Sequence, residues 1–116
     1  MANLRWYDKD RYLSAFMTLL ETLSEEVQSQ VALDILGEIP KVISMDIAVF
    51  MDYVEKNDPR KYNRWYDKNP HIHKTVEAIR QLSEQERETL YVSIVEIVHI
   101  RTDYELEDLV TKENGQ

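Results

Sequence analysis

Glu96 and His99 stand three residues apart. On a helix that spacing sends both side chains out from one face, and it supplies paired metal ligands in di-iron carboxylate bundles. A complete site of that kind needs a second such pair and two further glutamates on facing helices. The sequence holds an internal repeat, set out below, and at its offset the matching positions are Gly37 and Pro40, so the second pair is missing. His99 is then better read as a partly exposed histidine near a helix end, where a cation suits the negative pole of the helix dipole. A metal-dependent enzyme using Glu96 and His99 stays only as a second alternative.

His71 and His73 are separated by one residue at the start of a helix. They point in different directions, cannot share a metal by local geometry, and read as surface histidines. The chain has no cysteine, which removes thiolate zinc sites, disulfides and cysteine nucleophiles. Two glycines leave no room for a glycine-rich phosphate loop, and neither Gly-x-Ser-x-Gly nor His-Glu-x-x-His occurs. Glu25, Glu26, Glu105, Glu107 and Asp108 are conceivable acids or bases, but their clustering at helix starts already gives them a capping role. The reading is a protein without catalytic residues, metal or cofactor.

The elements that must position these residues announce themselves through repetition. Arg5-Trp6-Tyr7-Asp8-Lys9 recurs 59 positions later as Arg64-Trp65-Tyr66-Asp67-Lys68, and the two tryptophans are the whole complement of the chain. At the same offset Leu13 falls on Ile72, Met17 on Val76, Leu20 on Ile79, Val31 on Leu90, Ile35 on Ile94 and Ile39 on Val98. The break Ser24-Glu25 falls on Ser83-Glu84. Tetratricopeptide and HEAT repeats have shorter periods and other signatures. The expected fold is all-α. Two tandem repeats of a two-to-three-helix unit pack as one helical bundle with a pseudo-twofold relation. One domain covers residues 1–116, with unit one at 5–57, a linker at 58–63 and unit two at 64–112.

Within each unit, three- and four-residue spacing of Leu13, Phe16, Met17, Leu20 and Leu23 predicts a first helix capped by Asp10, with Asn69 and Pro70 in the corresponding place. Ser24 and Ser83 cap second helices, the latter with a capping box to Glu86. Gly37 and Pro40 should close the first of these. A third helix carrying Ile47, Phe50, Met51 and Val54 should start from Ser44 and end near Asn57. Its analogue, with Leu106, Leu109 and Val110, should start near Thr102 or Asp103. Residues 90–100 are rich in Val and Ile, as strands are. The preceding capping box and the absence of alternation make them helical.

Trp6, Tyr7, Trp65 and Tyr66 are expected to be structural anchors, each pair seating the entry of its first helix, with Arg5–Asp8 and Arg64–Asp67 neutralising one another nearby.

Bulk properties set the outer limits. Of 116 residues, 43% are hydrophobic and 31% charged, enough to build a core and unlike a disordered chain. A net charge of -8 opposes binding to nucleic acid. The nearest basic stretch, Arg60, Lys61, Arg64 and Lys68, is interrupted by Asp58 and Asp67 and reads as a solvated linker. No apolar run is long enough for a bilayer and no signal-type segment is visible at the start, so a cytoplasmic protein without membrane contact is expected.

Between Ile39 and Val54 the sequence carries more apolar residues than one buried stripe requires, Val42, Ile43, Met45, Ala48, Val49 and Tyr53 among them. A helix apolar on more than one side has to be covered twice. Val49, Phe50, Met51 and Tyr53 are therefore candidate interface residues, toward a protein partner or in a homodimer. The function expected is a non-catalytic helical interaction module, an adaptor or regulator. The first alternative is a small acidic inhibitor or immunity-type protein acting on a basic partner site.

Overall fold

A computed structural model describes residues 5–59 and 64–115, with side chains through 110. Arg60 and Lys61 of the basic stretch lie outside the described residues. The described residues form six α-helices: α1 (Arg11–Thr22), α2 (Glu25–Glu38), α3 (Ile47–Lys56), α4 (Pro70–Gln81), α5 (Glu84–Arg101) and α6 (Leu106–Gly115). Short 3-10 turns at Trp6–Lys9, Ile39–Lys41 and Trp65–Lys68 precede α1, follow α2 and precede α4. There is no strand among the described residues, and no helix is long and apolar enough to cross a membrane.

Side-chain caps set most helix starts. Asp10 Oδ1 accepts from the amides of Tyr12 and Leu13 at 3.0 and 3.1 Å. Asn69 does the same for His71 and Ile72, with Pro70 at a first-turn position where its missing amide hydrogen costs nothing. Ser24 accepts from Val27, and Ser83 and Glu86 complete a reciprocal capping box. Only Leu23 and Ser24 separate α1 from α2, and Gln28 Nε2 donates back to the Leu20 carbonyl at 2.7 Å across that corner.

Three boundaries differ from the sequence reading. α3 is capped by Asp46, whose carboxylate accepts from the Ala48 amide at 2.8 Å, and not by Ser44. α2 runs through Gly37, and the turn comes two residues later, where Pro40 sits inside the 3-10 turn. Thr102 ends α5 rather than starting α6; its hydroxyl bonds the Val98 carbonyl. Residues 90–100 are helical because α5 packs on α2 along one side and on α6 along another. Leu90, Ile94 and Val98 are buried by that cover, while Val92 and Ile100 stay exposed.

α2 occupies the centre, against both α4 and α5. Val31, Ala32 and Ile35 of α2 meet Ile72, Val76, Ile79, Leu90, Ile94 and Val98 in one continuous core. α3 packs on α4 through Phe50 and Val54, and α6 packs on α1 and α5 through Leu106 and Val110.

Candidate functional site: motif clasps, a buried charge cluster and an exposed helix face

The two Arg-Trp-Tyr-Asp-Lys stretches take the same local form. In each, arginine precedes a 3-10 turn and its amide and guanidinium both donate to the aspartate three residues on. Arg5 reaches Asp8 at 2.8 to 3.2 Å and Arg64 reaches Asp67 at 2.7 to 3.1 Å. Each guanidinium lies over the following tyrosine ring, at 4.8 Å for Tyr7 and 4.5 Å for Tyr66. Tryptophan and tyrosine pack edge to face at 5.5 Å in both. Tyr7 and Tyr66 are buried, while Trp6 and Trp65 are half-buried against the core. Trp6 Nε1 donates to the Tyr66 hydroxyl at 3.2 Å, joining one motif to the other. Trp65 Nε1 is buried and finds no acceptor among the described residues. A shallow cleft of about 390 Å³ lies between the motifs.

Around the second motif the clasp is extended by charges drawn from three elements. His73 on α4 lies between two carboxylates: Nδ1 meets Asp67 Oδ1 and Nε2 meets Asp58 Oδ2, each at 2.5 Å. Carboxylates only accept, so the arrangement favours a ring with a proton on each nitrogen, the imidazolium. Glu77, one turn further along α4 and fully buried, is approached by Arg64 at 3.1 Å and Arg80 at 3.3 Å. The Asp67 side chain is 0% exposed. Among the described residues, three cations, Arg64, His73 and Arg80, face three carboxylates, Asp58, Asp67 and Glu77, and such pairing makes burial of these charges tolerable.

Burial alone would lower the His73 pKa. Hydrogen bonds and charge from Asp58 and Asp67 outweigh it and hold the imidazolium above its ordinary value. Asp67 is pushed up by burial, but bonds from Arg64 and His73 win and keep it below the usual aspartate range. His73 is therefore no surface histidine, and Arg64 no solvated linker residue. Asp58 stands 15 positions from His73, outside any helical spacing, so the pairing leaves no sequence signal. The doublet Arg64–Asp67, repeated from Arg5–Asp8, was the part that could be read.

The other sequence candidates fall elsewhere. His71 is exposed at the start of α4. Glu96 and His99 are both exposed on α5, and His99 Nδ1 pairs with Glu105 at 2.7 Å across the turn into α6. Among the described residues no group of three or more His, Asp or Glu side chains is arranged to hold a metal. On α3, Phe50 turns inward, 3% exposed, and Met51 is half-buried. Val49 and Tyr53 turn outward, 60% and 50% exposed, and Met45 and Ile47 are exposed beside them. No known protein family, curated protein or solved structure matches the chain.

Proposed function

We propose that this chain is a non-catalytic helical interaction module, an adaptor or regulator, whose contact surface is the outer face of α3. The observation that carries the reading is the pair Val49 and Tyr53, one turn apart on α3 and left in solvent with Met45 exposed just ahead of the helix, while Phe50 and Val54 of the same helix are already in the core. Apolar side chains aligned on one exposed stripe are the pattern of helix-mediated contacts. The occupant is a protein partner or a second copy of the chain, and a cytoplasmic setting belongs to the proposal.

The module is best understood as two diverged copies of one unit related by a pseudo-twofold axis. Supporting this, the arginine–aspartate bonds of the two motifs match one for one, and α3 covers α4 while α6 covers α1. At the α2–α5 crossing each helix also bonds the end of the other. Asp34 of α2 pairs with Arg101 at the end of α5 at 2.7 Å, and Ser93, 59 positions after Asp34, bonds Glu38 at the end of α2 at 3.2 Å.

A photo-crosslinking residue at position 49, used in cells, tests the function. Discrete crosslinked species that vanish in a Tyr53→Asp background are expected, with thermal stability unchanged. A chain that yields no adduct from position 49 or 53, and sediments as a monomer at all concentrations, defeats the proposal.

A further inference from the structure

Where α2 crosses α4 the helices close tightly: Thr75 Oγ1 donates to the Ala32 carbonyl at 3.0 Å, and Asn69 Nδ2 to Ser29 Oγ at 2.8 Å. The other crossing at the motif offset, α1 against α5, is built differently. Tyr91 stands 59 positions after Ala32, and Phe16 59 before Thr75. The Tyr91 ring meets Tyr12 edge-on at 5.1 Å and its hydroxyl approaches Asp10 Oδ1 at 3.5 Å. Large rings stand where the α2–α4 pair has small side chains, and a groove of about 780 Å³ lies there, lined by residues of α1 and the turn before it, α5 and α6.

The groove is graded along its length. α5 contributes Glu84 and Glu88 at one end, then Tyr91, Val92 and Val95 at spacings of three and four residues. Val92 is 72% exposed. Glu107 of α6 joins the wall, and Asp10, Lys9 and Arg11 complete it. Arg11 already lies over the Tyr12 ring at 5.3 Å. Four carboxylates against two cations, on a molecule of charge -8, favour a cationic occupant. At 1.5 Å per residue the stretch from Glu84 to Val95 is about 16 Å long, room for three helical turns or about five extended residues.

We infer that this groove docks a basic amphipathic segment of another protein. Its lysine or arginine lies against Glu84 and Glu88, and its apolar side chains lie over Tyr12, Tyr91, Val92 and Val95. None of the lining residues belongs to α3, so the inference stands or falls apart from the α3 surface.

The test uses the full chain and a fluorescein-labelled helical peptide of about ten residues made of lysine and leucine. Binding is expected to weaken at least about tenfold when glutamate replaces lysine, when serine replaces leucine, or when salt rises from about 0.05 to about 0.5 M. Glu84→Lys with Glu88→Lys should also weaken it at least about tenfold. So should Val92→Arg alone, an exposed change that leaves the core intact. Glu25→Lys with Glu26→Lys, the same charge change on α2, should leave binding within about twofold. Equal loss from the α2 pair, equal binding of the glutamate peptide, or a groove filled by a second copy of the chain would overturn the inference.

Discussion

His73 is the residue whose chemistry the fold changes most. Its folded pKa is raised, so its contribution to stability is complete below the unfolded value, near 6.5, and is lost as pH rises through the folded value. Asp67 behaves oppositely: its folded pKa is lowered, so its contribution is present above the unfolded value, near 3.8, and disappears as pH falls through the folded one. We expect the melting temperature to decline as pH rises from the unfolded value near 6.5 through the raised folded value, and His73→Gln to flatten that decline. A decline of equal slope in the variant would show that some other group is responsible. Asp67→Asn removes the buried carboxylate that Arg64 and His73 share. A loss of about 3 kcal/mol is expected by denaturant unfolding. At this scale the sequence disclosed what was local. Arg5–Asp8 and Arg64–Asp67 are separated by three residues and recur, so their pairing could be read. The junction of His73 with Asp58 depends on how α3 lies on α4, which no spacing encodes.

Helix starts were largely written into the chain because a cap is a contact between residues two or three apart. Asp10, Ser24, Asn69 and Ser83 all serve as read, and Ser83→Ala should cost about 1 kcal/mol. Stops were harder to read. Gly37 looked like a terminator, yet the helix passes through it, and a side chain there would meet nothing within 4 Å. Gly37→Ala should therefore stabilise the protein by about 0.7 kcal/mol, a rise of roughly 3 °C in melting temperature, since the helix no longer carries the entropic penalty of glycine. An unchanged or lower melting temperature would mean the backbone there is not ordinary helix. On α3 the apolar residues were recognised together, and only the packing separated Phe50 and Val54, which face in, from Val49 and Tyr53, which face out. A surplus of apolar residues says that a second cover is needed, without saying which residues meet which cover.

For the molecule as a whole, all-helical architecture followed from helical spacing and scarce turn residues, and the apolar positions shared at the motif offset named most of the core in advance. The closeness of α2 to α4 was not legible, because it depends on Ala32 and Thr75 facing each other across 43 positions. Ala32→Leu should push those helices apart and cost about 2 kcal/mol, whereas the same substitution at exposed Leu33 is silent by identity, so Leu33→Ala serves as the control, with an effect under about 0.5 kcal/mol. Comparable losses at both sites would mean that the crossing is not tightly packed.

The packing of the third helix of each proposed unit bears on ancestry. α3 covers a helix of the other half and α6 does the same in return, so a solitary unit would have its greasy flank bare until it met its twin. On the duplication reading, the forerunner was an obligate pair of short chains, later tethered into one. Fragments 5–59 and 64–115, inert when separate, should regain helical circular dichroism when mixed.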